Sequence, residues 1–589
     1  MRIEKVHIKG FRNYDDATFF FQKKTLIIGA NDVGKTNLIH ALRLLFDKTI
    51  SEHDLELTDS DYNAYSGSDT IEITVSLCDI TEKCLLSEFA GDVKDGKVVI
   101  KYTNCKDDSY HIFCGYNEDT LSEQPTRYYI KRLNMQCVDT NRNLHTFLNR
   151  ERGRLLQLAK EQLSPEASAV DAGIVASIQD NLSNINAQIN SLQYISKSLE
   201  QVNQELGKLS IHNEDQSICF VAGESDADKL LNNLTLSYSA GENPLSIGGD
   251  GRNNQVFLAT WIAKQKIQAS VDHVTFYAIE EPEAHLHPHQ QRKLSAYIQE
   301  NFEDQILITT HSPQIVSKFD PANIIRLYSE NKYTYAACGG CSPIVKEIFH
   351  NFGYRLNALS SETFFSNGVF LVEGPSEVLF YTALSQELKI DLDRYNISIL
   401  SVNGIGFKPY VAICNALNIP WVLRTDNDIF LKPTIAPTKK YYAGISRAMG
   451  ILQSIGADIN GIQKYWNEHL EENEWSKSQS CVPKVSQELN TYIREAVAPL
   501  GIFLSDIDLE NDLAHSSLQS VLLKHYNKRK IRTLVDAMQK KKAENMLDFL
   551  EKNQDQLALL CEDKIATPLK QLAKTVAERT KPNVGESSN

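Results

Sequence analysis

The chain has 589 residues, enough for three or four domains and too many for one small module. With 42% hydrophobic and 23% charged residues its composition is globular, which excludes a largely disordered chain. Its 61 Lys and Arg against 75 Asp and Glu give a net charge of −14, which excludes a generic polyanion-coating protein; any nucleic-acid contact must use local basic patches.

No apolar run reaches the roughly 18 residues that cross a bilayer. The opening MRIEKVHIKGFRNYDD alternates polar and apolar residues and lacks a signal-peptide core. Eleven scattered cysteines fit a reducing compartment. The expected location is cytoplasmic, with no membrane partner. Cys338 and Cys341 have zinc-ligand spacing but no second pair, so a loop with two buried thiols is the plainer reading.

In chain order, Lys5 to Lys9 alternates as a half-buried strand does, and Thr25 to Gly29 is a short apolar run ending in glycine. Gly29 to Thr36 (GANDVGKT) then fits G-x-x-x-x-G-K-[ST], and Asn37 to Phe46 has helical periodicity. Strand, loop and helix in that order make a nucleotide clamp. Gly29, Asn31, Gly34 and Asn37 belong to the loop that wraps the phosphates. Lys35 reaches the outer phosphates, and the Thr36 hydroxyl ligates Mg²⁺. Ile71 to Leu77 and Lys97 to Tyr102 read as further strands.

Residues 143–212 change character. Val175, Ile178, Leu182, Ile185, Ile189 and Leu192 form a coiled-coil seam, which resumes after a one-residue slip at Ile195, Leu199, Val202, Leu206 and Leu209. Ser164-Pro165 interrupts the preceding helix, so a helical hairpin is expected. The seam packs either on its own domain or in a dimer contact.

Further α/β pattern follows. Ser246, Gly248 and Gly249 open a helix as an anion-binding turn. The strand His273 to Ile279 ends in Glu280-Glu281-Pro282-Glu283, where Glu280 suits the metal and Glu281 the general base. The strand Gln305 to Thr309 ends in T-H-S-P, placing His311 to reach a γ-phosphate.

A second α/β block begins near Gly368. The strand Val369 to Val372 ends in Glu373, with Glu377 about one helical turn on. Trp421 to Leu423 leads into Arg424-Thr425-Asp426-Asn427-Asp428, where period two points Asp426 and Asp428 the same way. Carboxylates converging from strand ends repel unless a cation joins them, and hard oxygen ligands select Mg²⁺ or Mn²⁺. Lys524, Lys528, Arg529, Lys530 and Arg532 cluster in this half, near Lys439, Lys440 and the run Lys540–Lys542, and suit phosphate steering.

Phosphate loop, signature serine, paired glutamates and histidine, in that order, resemble ABC-type ATPases. Ile8 to Tyr14 and the coiled-coil insertion resemble RecF-like and SMC-like members. Glu280 stands where that family usually has Asp, and no glutamine loop is evident between Thr36 and Ser246. V-E-G-P-S-E (Val372 to Glu377) followed by D-N-D (Asp426 to Asp428) resembles a Toprim domain. The two together resemble the OLD family of nucleases, and within it the nuclease subunits of Gabija-type and retron-associated antiphage systems.

The resemblance implies an α/β chain made of an ATPase over 1–142 and 213–350, a helical dimerisation insertion over 143–212, a Toprim domain over 351–582 and a disordered tail over 583–589. It implies a two-metal nuclease, with one ion near Glu373, Asp426 and Asp428 and another aided by Glu377 and a later acidic pair, placed at Asp508 and Glu510, which share a face by period two. It also implies a lysine that stabilises the transition state, assigned to Lys542 among three neighbours. ATP, DNA, a homodimer or higher oligomer, and a helicase-like subunit or a reverse transcriptase with its RNA–DNA product are the implied cofactor and partners. A topoisomerase or primase lacks room for its further domain. A non-catalytic ATPase scaffold would not need Glu373, Asp426 and Asp428 intact.

Overall fold

The structure, a computed structural model, describes residues 1–107, 109–140, 160–161, 163–209, 227, 231, 238–240, 243–245, 249–268, 272–342, 363–402, 406–432, 439–456 and 461–580. The chain divides into two compact units, one of residues 1–139, 271–283 and 288–589, the other of residues 140–270 and 284–287. Among the described residues no helix is long and apolar enough to cross a membrane.

The first unit opens with an antiparallel sheet in the order Tyr14–Phe20, Arg2–Phe11, Thr70–Cys78, Val98–Cys105, His111–Gly115 and Ser122–Gln124. A second sheet runs Tyr333–Ala336, Ile324–Glu330, Lys24–Ile28, Ile306–Thr309, Val274–Glu280 and Leu133–Val138. Its last five strands are parallel. Their apolar, β-branched runs suit strands covered on both faces. The helix Lys35–Phe46 buries Leu38, Ile39, Leu42 and Phe46 in the core, and Phe46 meets Phe276 edge-on at 5.3 Å. Register is what matters for function. Glu280 pairs with Thr309 and Thr309 with Ile27, so three strands end level beside the phosphate loop. Ligands of open parallel sheets bind at that carboxyl edge.

The same unit contains a four-stranded parallel sheet in the order Ile397–Ser401, Gly368–Val372, Trp421–Thr425 and Ile502–Leu504. The helix Thr567–Thr580 seals it: a Cβ on Gly368 would lie 2.6 Å from Val576. The helices Pro375–Glu387, Leu509–Ala514, Ile531–Met538 and Lys542–Asn553 share one apolar core around Phe370, Phe380, Leu513, Leu534 and Phe549. A three-stranded antiparallel ribbon, Ile429–Leu431, Lys439–Tyr442 and Glu474–Ser476, grows out immediately after Asp428. Arg326, on the strand Ile324–Glu330 of the larger parallel sheet, is buried and donates to the carbonyls of Phe364, Ser366 and Leu417, joining the two parallel sheets.

In the second unit, Ser164 caps and Pro165 opens a helix to Ser191; a second helix spans Gln193–Leu209. The break falls at Leu192, the position of the phase slip, because a one-residue slip rotates the apolar stripe by about 100°. No residue of the helix Pro165–Ser191 is buried, and Ile185 is 47% exposed. A third helix runs Asp250–Gln268. Ser246, Gly248 and the tail lie outside the described residues; Gly249 lies just before this helix.

Candidate functional site

The phosphate loop is held open by backbone geometry. Gly34 has φ 103°, in the left-handed region, and caps the helix Lys35–Phe46. A Cβ there would also strike the Asn13 amide at 2.1 Å. Tyr14 donates to the Gly34 carbonyl at 2.9 Å, and Asn13 donates to the Val33 carbonyl at 2.9 Å, so the opening turn braces the loop. Arg12 donates to Asn37 at 2.8 Å, which fixes the helix's first turn from the same side.

Lys35 Nζ donates to the Gly29 and Ala30 carbonyls at 3.0 and 2.8 Å. Burial lowers its pKa to about 8 against the opposing pull of Glu281, Asp32, Glu283 and Glu280. Thr36 Oγ1 donates to Glu280 Oε2 at 2.9 Å, joining the two groups expected to face one metal ion. Burial raises the Glu280 pKa, and Asp139 adds to it. Asp139 follows the strand Leu133–Val138, which the sequence pattern did not single out. Glu281 Oε1 lies 3.4 Å from His311 Nε2. Glu283 was given no role by the sequence. One of its oxygens accepts from Thr310 Oγ1 and from the His311 amide, both at 2.7 Å. Glu283 therefore ties the loop of the paired glutamates to the histidine loop. This cradle, with Thr36 and Glu280 adjoining, fits Mg²⁺ and a nucleotide triphosphate.

The second site lies at the carboxyl edge of the four-stranded sheet. Glu377 is the third residue of its helix and is 4% exposed. Its Oε2 accepts from the Gly374 amide at 2.7 Å, while its Oε1 is buried without a hydrogen-bond partner. Burial pushes its pKa up to about 7. Burial, Glu377 and Glu373 together push Asp426 up to about 8. Asp428 is raised by burial, then by Glu373 and Asp508.

Glu373 Oε1 accepts from the Asp426 amide at 3.0 Å and from Arg447, a residue the sequence gave no reason to select. Asn427 is fully buried between the two aspartates. It donates to the Asn490 side chain at 2.8 Å and accepts from the Ile445 amide at 3.2 Å. Alternate residues of D-N-D therefore turn to opposite tasks, the asparagine anchoring and the aspartates facing the site.

Period two does not describe the later acids. Asp508 caps a helix and Glu510 is that helix's second residue, because Asp508 accepts from the Asn511 amide at 2.8 Å and stops the extended chain. Both are nonetheless buried here. Asp508 Oδ2 accepts from Gln539 at 2.6 Å, and Lys542 Nζ lies 3.0 Å from Glu510 and 3.9 Å from Asp426. Burial lowers the Lys542 pKa, but Glu510, Asp426 and Asp508 outweigh it and raise the net value. Lys541 instead pairs outward with Glu544 at 2.7 Å. Beneath the site Arg424 is buried, pairing with Asp512 and donating to Ser505 at 2.9 Å; Ser505 donates to Asp426 at 3.3 Å.

Among the described residues, no three acidic side chains close around one point as they are placed. The donor chemistry still fits a divalent ion: every acceptor is a hard oxygen, the Glu377 oxygen is orphaned, and burial, with the neighbouring carboxylates, raises Glu377 and Asp426 despite Arg424 and Lys542 nearby. Cys338 and Cys341 hold no common centre. Cys341 is buried beside Thr25, whereas Cys338 is exposed and reaches the Ala416 carbonyl, so the expectation of two buried thiols holds only for Cys341.

Residues 1–316 match the family described as AAA ATPase domain, and residues 364–428 match the Overcoming lysogenization defect protein-like TOPRIM domain. The chain is 27% identical to Endonuclease GajA of Bacillus cereus over 93% of its length and 95% of the relative. It is 25% identical to the OLD nuclease of Thermus scotoductus over 73% of its length and 82% of the relative. A solved structure, the C-terminal region of the Burkholderia pseudomallei OLD protein, is 22% identical with a TM-score of 0.24. That likeness covers 36% of this chain and 99% of that one.

Proposed function

Because the chain belongs to the AAA ATPase domain family and continues into an OLD-like Toprim domain, we propose that it is an ATP-regulated, divalent-metal-dependent DNA endonuclease of antiphage defence. The observation that carries the reading is the gathering of Glu373, Glu377, Asp426, Asp428, Asp508 and Glu510 at one sheet edge, with Lys542 against Glu510 and Asp426.

Glu373, Asp426 and Asp428 would hold one Mg²⁺ or Mn²⁺, and Glu377, Asp508 and Glu510 would serve a second. When bound, the ions supply Lewis-acid activation of water and neutralise the leaving oxygen of a phosphodiester. Lys542 offers a cation to the charge that develops on the phosphate. Asn427 and Ser505 hold the aspartates in place, and Arg424 acts through Ser505. The exposed cations Lys524, Lys528, Arg529, Lys530 and Arg532 attract the DNA backbone. At the other site Lys35, Thr36 and Glu280 would hold Mg-ATP, with Glu281 as the general base and His311 available to the outer phosphate. The signature residues Ser246, Gly248 and Gly249 would close on a second copy's phosphate loop. That makes a cytoplasmic homodimer or higher oligomer the working form, alongside a helicase-like or reverse-transcriptase partner.

Plasmid incubated with the full chain and Mg²⁺ or Mn²⁺, with and without ATP, tests this. Cleavage is expected, and it should be lost in Glu373→Ala and Asp426→Ala chains that melt as the wild type does. Nicking by the folded Glu373→Ala chain would show the site to be wrongly assigned. No cleavage under any condition would favour a non-catalytic nucleic-acid-sensing scaffold.

A further inference from the structure

The ribbon that follows Asp428 presents an unusual surface. Ile429, Phe430 and Leu431 are 39%, 47% and 41% exposed, three large apolar side chains in succession. Successive strand residues face opposite ways, so both sides of this strand are uncovered. Among the described residues it is also an edge strand, paired with Lys439–Tyr442 alone. Soluble proteins rarely leave such an edge bare without a use for it.

The register sorts the side chains. Phe430 is opposite Tyr441, which is opposite Glu474. Lys432 and Lys439 continue that face and are joined through the Lys432 amide and the Lys439 carbonyl at 3.0 Å. Glu474 ties the two lysines together on it, lying 3.1 Å from Lys439 Nζ and paired with Lys432. The opposite face carries Tyr442 and Trp475, which pack together at 5.3 Å and are buried. The two inner strands of the ribbon therefore rest on that face, while Ile429 and Leu431 at its edge stay partly open; the other face carries the exposed Phe430 and the half-buried Tyr441, flanked by two lysines. The face leads straight from the candidate site. The Ala443 amide donates to the Asp428 carbonyl at 2.9 Å, extending the ladder, and Asp428 shares the parity of Phe430. Two extended residues separate their Cα atoms by roughly 7 Å, about the reach of one nucleotide.

Aromatic rings beside lysines bind nucleobases by stacking and phosphates by charge, and they need a base whose flat face is free. In a duplex, neighbouring pairs cover that face. We propose that Phe430 and Tyr441 form a stacking platform for an unpaired DNA base next to the scissile phosphate, with Lys432 and Lys439 on the adjoining backbone. This makes single-stranded or locally opened DNA the preferred substrate, and it rests on the nuclease reading above.

The test is anisotropy of the full chain with a labelled single-stranded oligonucleotide and with its duplex, in EDTA so that nothing is cut. In parallel, 2-aminopurine in the single strand reports stacking by quenching. The Phe430→Ala/Tyr441→Ala chain should bind the single strand roughly 10- to 100-fold more weakly. It should also lose the quenching, while duplex affinity changes less than about threefold on the same scale. Phe430→Trp, which enlarges the ring, should keep both the single-strand affinity and the quenching, and it serves should the double variant not fold. Single-strand binding and quenching equal to wild type in the double variant would overturn the platform, as would equal loss on both substrates. Intact DNA binding with a smaller sedimenting species would instead make the ribbon a chain–chain contact and also overturn it. A wild-type chain that cuts plasmid while the double variant fails only in stacking supports both readings. A wild-type chain that neither binds nor cuts DNA removes the nuclease reading and the platform with it.

Discussion

Replacing Glu377 with glutamine isolates the electrostatic cost of gathering acids at the Toprim sheet edge. Burial, only partly offset by Arg424 and the Gly374 amide, raises Glu377 from 4.5 to about 7. As pH rises through this window the unfolded chain gives up the proton while the folded chain keeps it. Stability therefore falls with rising pH, and the loss is complete above about 7. The separation corresponds to about 3 kcal/mol. Glutamine keeps the side chain's length and a carbonyl for the Gly374 amide but carries no charge. Removing the charge also relieves Asp426, which Glu377 helps to raise. Without metal, Glu377→Gln should be more stable than wild type by about 3 kcal/mol near pH 8 and by under about 1 kcal/mol near pH 5. Denaturation of the full chain in EDTA at both pH values measures this. Mg²⁺ should then stabilise the wild type more than the variant, since the ion supplies the charge the site lacks. Equal stabilities near pH 8, or the same gain at both pH values, would refute the argument.

Three further outcomes follow from other contacts. Lys35→Ala should abolish binding of a fluorescent ATP analogue and change how plasmid cleavage responds to ATP without removing cleavage; complete loss in a folded variant would make ATP a direct cofactor of the cut. Gly444→Ala sets a Cβ 2.6 Å from Asn427 Oδ1 and 2.7 Å from the Asp426 carbonyl, so it should cost about 1–3 kcal/mol and weaken Mn²⁺ binding in calorimetry. Arg326→Met leaves three buried carbonyls unpaired, so it should cost about 2–5 kcal/mol in denaturant unfolding of the full chain; an unchanged midpoint would show that the arginine does not hold the two sheets together.

The sequence by itself determined the local chemistry. Apolar runs ending in GANDVGKT, EEPE, THSP, VEG and DND are strands followed by polar turns, and a strand's end is where a side chain can leave the sheet. The phase slip at Leu192 was legible because helical periodicity is a property of neighbours in the chain. The tertiary structure decided what comes from far away or turns on a rotation. Lys541 and Lys542 are adjacent, yet one pairs outward with Glu544 and the other inward with Glu510, because each helical residue turns the side chain by about 100°. Arg447 and Gln539 belong to no motif, and Glu283, though it closes EEPE, carries no signal of its partner; all three reach their partners only through packing. Asp508 and Glu510 reach the site as a helix cap and first turn, since a side-chain acceptor for a backbone amide ended the extended chain that alternation implied. Likewise, the exposure of Phe430 and its pairing with Tyr441 depend on strand register, which is fixed by cross-strand contacts and not by either segment alone.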